Sequence, residues 1–374
     1  MCRKLRIAVD AVTLSDASTF GVNSYTVGLV EALSAMDDVE VFLLYPWPLS
    51  HGAAKLADSR IRHIHFAVPG AKTREWEQVL VPMLSFTTRC HLIHSPANVA
   101  PVLSPKPVVL TLHDIISYSG HSNISAASQR YLQAYGMRGV RRASAIITVS
   151  DLSRRQIADF FGIDEARIHV VFNGIAPEFF TRRPKQAPSR NGRIVLGCGS
   201  LAPTKNVRGT LMAFARIYAK YPGSKLLLFS VSPGSEGTLR KLGAVAEVPE
   251  DAIEFITAPD ALSMSQVFAR SDLLLFPSLW EGFGLPVVEA FATGTPVVTS
   301  REGALAEVSG DAAVLIDPSD HAAVGNAAIG ILENADLWNK MRDLGQQRAA
   351  LFTWQRAAAQ TAEIYRRVAT KEVL

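Results

Sequence analysis

The feature that most constrains the fold is a rhythm of short, largely apolar runs separated by helical stretches, which begins at Leu5, breaks off, and begins again at Arg193. Residues 5–9, 39–44, 108–112 and 145–149 form the first series; residues 193–197, 225–229, 252–256, 273–276 and 296–299 form the second. Strands that are apolar at every position are covered on both faces, and β and α segments in alternation build parallel sheets under helices. Between the two series lies Thr181-Arg-Arg-Pro-Lys-Gln-Ala-Pro-Ser-Arg-Asn-Gly192, polar and twice interrupted by proline. A linker is expected over residues 182–192, joining an N-terminal domain of residues 1–181 to a second domain of residues 193–352. With 374 residues, 48% of them hydrophobic, the chain has apolar surface enough for two cores. The fold class expected is α/β, two Rossmann-like parallel-sheet domains facing each other across a cleft, with ligands at the carboxyl ends of the strands.

In the second series, Ser271-Asp-Leu-Leu-Leu-Phe-Pro-Ser278 runs into Glu281-Gly-Phe-Gly-Leu-Pro-Val-Val-Glu289, two glutamates on one strand-to-helix loop. Gly282 and Gly284 lack a Cβ and admit a ligand close to the backbone, with Phe283 and Leu285 beside them. Pro286 is preset for a first helical turn. Amides and helix dipole together favour an anion. Glu289, one turn in, suits two vicinal hydroxyls such as a ribose presents, and Glu281 suits the hydroxyls of a second polar ring. A nucleotide-sugar held at both ends is the expected ligand. The plainer reading of either residue alone is a dipole-complementing Glu289 and a solvated Glu281.

These residues, with Leu112-His113-Asp114, Ile147-Thr-Val-Ser150, Val170-Val-Phe-Asn-Gly-Ile175, Gly199-Ser-Leu-Ala-Pro-Thr-Lys-Asn206 and Gly294-Thr-Pro-Val-Val298, resemble family 4 of the retaining nucleotide-sugar glycosyltransferases over nearly the whole chain. By overall similarity the chain looks closest to that family's bacterial mannosyltransferases of lipid-linked polysaccharide synthesis. The resemblance implies the GT-B architecture and a C-terminal helix, residues 353–374, that crosses back to the N-terminal domain. It implies that Lys205 meets the diphosphate, that Glu281 positions the sugar and Glu289 the ribose, and that His113 lies beside the transferred sugar. Asp114 is expected to orient His113 or to touch acceptor. Gly21, in Thr19-Phe-Gly-Val-Asn-Ser-Tyr25, stands in a loop that packs on the diphosphate in relatives; Asn23 replaces its usual second glycine and tolerates positive φ. An arginine that accompanies the lysine in relatives is missing, since Ser200 and Thr204 occupy its two usual places. Arg208, three residues after Lys205, is the expected substitute if both lie on one helix face.

The departing diphosphate needs its negative charge neutralised, and no Asp-x-Asp triplet offers to hold a metal for that purpose. Cations, amides and helix ends are expected to do the work, with no metal or other cofactor and the nucleotide-sugar as substrate. The reaction implied is hexose transfer with retained configuration onto a hydroxyl of a saccharide, lipid-linked in this subgroup. GDP-mannose is the leading donor, from subgroup likeness. UDP-sugars stay open, because Ser230-Val-Ser-Pro-Gly234 replaces the usual glycine-led turn near the base.

Net charge is +4, with arginines bunched at Arg138, Arg141, Arg142, Arg154 and Arg155. With no nucleic-acid motif beside them, an anionic membrane surface is the expected partner and nucleic acid is not. No apolar run approaches the length of a spanning helix, so a cytoplasmic protein, peripheral at the inner face of the cytoplasmic membrane, is expected. Cys2, Cys90 and Cys198 are scattered and odd in number, which supports neither disulfides nor a zinc site. His91 and His94 would fall on opposite strand faces, unsuited to one metal. Asn173-Gly174 reads as a turn that uses positive φ. Two rival classes remain. A dinucleotide oxidoreductase lacks the third glycine after Gly197-Cys-Gly199. A silent nucleotide-sugar-binding protein would explain the missing arginine.

Overall fold

A computed structural model of the chain describes residues 4–15, 20–57, 60–67, 73–119, 125–180, 186–188, 192–257 and 260–370. The chain divides into two compact units, one of Met1–Gly174 with Thr353–Leu374 and the other of Ile175–Phe352. Most of the polar stretch 182–192 lies outside the described residues. Residues ahead of it already pack in the second unit, where Phe179 meets Phe268 edge-on at 5.7 Å.

The first unit is built on a seven-stranded sheet, β1 (Leu5–Asp10), β2 (Val39–Tyr45), β3 (Arg62–His65), β4 (Leu92–Ser95), β5 (Val108–Thr111), β6 (Ala145–Thr148) and β7 (Ile168–Val170), in the order β3-β2-β1-β4-β5-β6-β7. All its pairs are parallel, with Ile7 opposite both Val41 and Leu92. The four apolar runs of this half are strands. Hydrophobicity did not mark β3, an edge strand whose Arg62, His63 and His65 are exposed. The C-terminal helix Trp354–Thr370 belongs to this unit, its Trp354 and Tyr365 buried in the same core as Tyr25, Val9 and Leu92. Thr353 caps it, its hydroxyl accepting from Arg356 N at 3.3 Å. Two glycines admit it: a Cβ on Gly28 would lie 2.1 Å from the Trp354 ring, and one on Gly174 2.3 Å from the Trp354 backbone nitrogen. The Asn173-Gly174 reading is corrected accordingly. Neither residue has positive φ, and Gly174 is needed for close approach of two backbones.

The second unit carries a six-stranded sheet, β8 (Ile194–Cys198), β9 (Lys225–Phe229), β10 (Ile253–Phe255), β11 (Leu273–Phe276), β12 (Val297–Ser300) and β13 (Val314–Ile316), in the order β10-β9-β8-β11-β12-β13. It too is parallel throughout. Its core gathers Val195, Leu226, Leu228, Leu273 and Leu275 with Phe214 and Trp338. Both sheets reverse strand order once, at β1/β4 and at β8/β11. A parallel sheet opens a crevice at such a reversal, because the loops leaving the two strands diverge to opposite faces. Among the described residues no helix is long and apolar enough to cross a membrane.

Candidate active site

In the second unit the loops after β8 and β11 leave that crevice side by side and are tied together. Leu279 N donates to Thr204 O at 2.7 Å. Asn206, with φ 49°, sends its side-chain nitrogen to Pro277 O at 3.0 Å and Pro318 O at 2.9 Å, while its Oδ1 accepts from Gly209 N at 3.1 Å and caps the helix Val207–Lys220. Asparagine tolerates the left-handed backbone and saturates three partners, so Lys205 is presented by a rigid turn. Its ammonium reaches Glu281 Oε1 at 2.6 Å and Oε2 at 2.8 Å, and Ser278 Oγ lies 2.7 Å from Oε1. Glu281 is 11% exposed and Lys205 29%, so the pair is open to a ligand yet shielded enough for charge to count.

Gly284 sits at φ 106° ahead of the helix Leu285–Ala292, and a Cβ there would lie 2.4 Å from the Leu305 side chain. Both backbone and neighbour therefore require glycine. One turn in, Glu289 is partly buried, no basic side chain among the described residues is paired with it, and burial pushes its carboxyl up to about 7.

In the first unit His113 follows β5 at the carboxyl end of the sheet. Its backbone N–H donates to Asn98 Oδ1 at 2.9 Å, and ring Nε2 lies 3.0 Å from Pro96 O. A carbonyl only accepts, so Nε2 carries the proton and Nδ1 offers a lone pair. Burial lowers the ring's pKa to about 4, which keeps it neutral at physiological pH. Tyr25 braces it edge-on at 4.8 Å. Behind it runs a buried chain: Tyr25 Oη to Thr111 Oγ1 at 2.8 Å, Thr111 Oγ1 to His94 Nε2 at 2.8 Å, His94 Nδ1 to Tyr365 Oη at 2.6 Å.

Residues 20–179 match the family described as Glycosyltransferase Family 4, and residues 178–348 match Glycosyl transferases group 1. The chain belongs to the family 4 type of glycosyltransferase. It is 30% identical to the MMP alpha-(1->4)-mannosyltransferase of Mycolicibacterium hassiacum over 69% of its length, a match that spans 65% of that protein. It is 27% identical to glycogen synthase of Mycobacterium tuberculosis over 95% of its length and 86% of that enzyme's. The solved structure of Anabaena HepE in complex with UDP and glucose superposes at TM-score 0.74 and 19% identity, covering 96% of this chain and 99% of that one, which shows the same GT-B fold.

The structure of this glycosyltransferase brings Lys205, Glu281, Gly282, Gly284, Leu285 and Glu289 to one end of the second sheet, with Ser200 at the start of the Lys205 loop, where its hydroxyl accepts from Ala202 N at 3.3 Å. Three expectations are corrected. Lys205 ends a 3-10 turn, Pro203–Lys205, and the left-handed Asn206 separates it from Arg208, so the two are not on one helix face; Arg208 is exposed. Phe283 turns inward, 4% exposed and edge-on to Phe352 at 5.7 Å. Gly21 and Asn23 form no positive-φ loop, because both lie in the helix Phe20–Ser34; Thr19 is outside the described residues. Asp114 Oδ1 accepts from Ile116 N at 2.8 Å, while Asn98 Oδ1 takes the His113 backbone N–H and Pro96 O meets its ring. Asn98, Tyr25 and Ser278 were missed. A lone polar residue after a buried strand is the only signal that any of the three gives. Where a glycine-led turn was expected, Ser230 itself adopts φ 56°. His91 accepts from Arg6 N at 2.9 Å and His94 is locked in its buried chain. Among the described residues no three His, Cys, Asp or Glu side chains gather as a metal site.

Proposed function

We propose that this chain moves a hexose, with retained configuration, from a nucleotide-sugar to a hydroxyl of a saccharide acceptor, with GDP-mannose as donor and a lipid-linked saccharide of cell-surface polysaccharide synthesis as acceptor. The observation that carries the reading is the Lys205–Glu281 pair at the strand reversal of the second sheet, one helical turn from the unbalanced Glu289. Mannosyl transfer is the activity in the name of the Mycolicibacterium relative.

In this reading the ribose hydroxyls donate to Glu289 and Glu281 holds the sugar. The bond from the anomeric carbon to the phosphate oxygen breaks while the acceptor oxygen bonds the same face, and the acceptor's proton passes to the departing phosphate oxygen. Lys205 stabilises the charge gathering there, a preorganised cation acting where charge develops. The lone pair on neutral His113 Nδ1 accepts from a sugar hydroxyl and holds no charge of its own. Loop amides share the diphosphate's charge with Lys205, and no metal is invoked.

A second reading has a specific observation behind it. HepE was solved with UDP and glucose, and Ser230 alters the turn near the base, so a UDP-sugar is the alternative donor. The decisive experiment measures thermal stabilisation by GDP, UDP, ADP and dTDP with their sugars, on wild type and Glu289→Ala, then nucleoside diphosphate release with acceptor. Stabilisation by one base, lost in the variant, with turnover, supports a transferase and names the donor. Binding without release at any acceptor identifies a silent binding protein.

A further inference from the structure

One helical stretch of the first unit is apolar on both sides. In Trp76-Glu-Gln-Val-Leu-Val-Pro-Met-Leu-Ser-Phe86, Trp76, Val81, Leu84 and Ser85 are buried, yet Val79 is 58% exposed, Met83 44% and Phe86 65%. Spacings of four and three put those exposed side chains on successive turns of one face. A helix in water keeps its outer face polar. One apolar all round is built to have the second face covered.

The ridge extends beyond the helix. Gln78 donates to Ala100 O at 3.3 Å and accepts from Val102 N at 2.9 Å, which fixes the neighbouring Leu103, 70% exposed, beside it. Arg142 donates to Val102 O at 3.3 Å, and Gly139 lies so close that a Cβ would sit 2.6 Å from Ala100 O, so the helix Met137–Arg142 borders the same loop. That helix exposes Arg138, Arg141 and Arg142. Residues 73–142 hold seven Lys and Arg against three Asp and Glu, an excess equal to the +4 of the entire chain, so the rest of the sequence is neutral in sum. Of the three acids Glu77 is buried beneath the ridge, bonded by the Tyr131 hydroxyl, and burial raises its carboxyl to about 8, which favours the uncharged form at neutral pH.

We infer that this surface docks the first unit on an anionic lipid bilayer, Val79, Met83, Phe86 and Leu103 entering the headgroup boundary while Arg138, Arg141 and Arg142 meet lipid phosphates. The inference deepens the lipid-linked acceptor reading and rests on it for its biological sense. An apolar ridge with a basic border suits a bilayer interface, which offers hydrocarbon and anions at adjacent depths. A second copy of the chain would bring the same basic border against itself.

The test is flotation with phosphatidylcholine vesicles, with and without phosphatidylglycerol, and fluorescence of a Phe86→Trp variant with brominated lipids. Wild type is expected to float with the anionic vesicles alone. Val79→Ser/Met83→Ser/Phe86→Ser, which replaces exposed side chains only, is expected to lower partitioning by about tenfold or more. Arg138→Glu/Arg142→Glu is expected to cost roughly as much and to remove the salt dependence. The indole at position 86 is expected to shift blue and to be quenched. Flotation of the triple-serine variant at the wild-type level, a new indole that stays in water while the protein floats, or a wild-type dimer that the triple-serine variant dissociates would each overturn the proposal. Nucleoside diphosphate release with a water-soluble acceptor, unchanged in the triple-serine variant, separates this outcome from failure of the transferase reading, in which wild type floats but releases none.

Discussion

Glu289 makes donor binding depend on pH in a way that can be calculated. Burial raises its carboxyl to about 7, and no cation compensates. A protonated carboxyl has lost part of the acceptor capacity that two ribose hydroxyls require, so a donor that binds through them must expel the proton. Each pH unit below 7 then costs about 1.4 kcal/mol; at pH 5.5 the deficit is about 2 kcal/mol, or roughly 30-fold in affinity, relative to pH 8. The assay is calorimetric titration with an intact nucleotide-sugar, whose diphosphate is doubly esterified and does not itself titrate in this range. Binding near pH 6 should release close to one proton, read as a dependence of the observed heat on the buffer's ionisation enthalpy. Asp10, raised to about 6, and Glu77, raised to about 8, also titrate in the window, both by burial first, but they lie in the other unit and are unchanged in Glu289→Gln. That variant should bind more weakly at pH 8 and lose the proton release. Equal affinity of wild type at pH 5.5 and pH 8 would refute the reasoning. In protein without ligand the three carboxyls act oppositely: the folded state holds their protons more tightly than the unfolded chain, so their contribution to stability is fullest below about pH 4 and is lost as pH rises through about 6 to 8, while His94 and His113, held neutral, offset it at the acid end.

Further tests follow from single contacts. Lys205→Ala should lower kcat/KM by about a hundredfold or more in a nucleoside diphosphate release assay, with a smaller effect on the melting temperature because Ser278 still donates to the Glu281 carboxylate left behind. Nitrogen NMR shifts of His113 should report a neutral, Nε2-protonated ring down to pH 5, since burial lowers its pKa to about 4; a charged ring at pH 6 would contradict that burial, and a proton on Nδ1 in the neutral ring would contradict the Pro96 carbonyl contact. Asn206→Ala, which puts Ala at φ 49° and removes three hydrogen bonds, should destabilise by about 2 to 4 kcal/mol in denaturant unfolding, against a smaller loss for Asn206→Gly. Gly174→Ala should cost several degrees of melting temperature, with Gly237→Ala, where no atom lies within 4 Å, as an inert control.

The two sheets were legible because strands buried on both faces must be apolar at every position, as residues 273–276 are. β4 was quieter, since its Leu-Ile-His-Ser buries two polar side chains, of which His94 is held through partners distant in sequence, Thr111 and Tyr365. At the site, spacing carried the glutamates and Lys205 correctly to one end of the second sheet. It failed where a single residue resets the backbone. Asn206 breaks the helical phase between Lys205 and Arg208, and no periodicity announces an asparagine at φ 49°. Phe283 fails for another reason: only the packed position of Phe352, 69 residues on, decides whether an aromatic ring in a glycine loop points in or out.

The chain passes from the first unit to the second after Gly174 and returns at Thr353, so the second unit is an insertion within the first. During synthesis the first sheet emerges early but lacks the helix that covers Tyr25 and Leu29, and that helix is made only after the second unit. The inserted unit, contiguous in sequence, can close on its own while the first waits. A chain cut short by its final 22 residues would therefore carry a finished second unit beside an open, aggregation-prone core, and a cell that monitors exposed apolar surface would recognise it as incomplete.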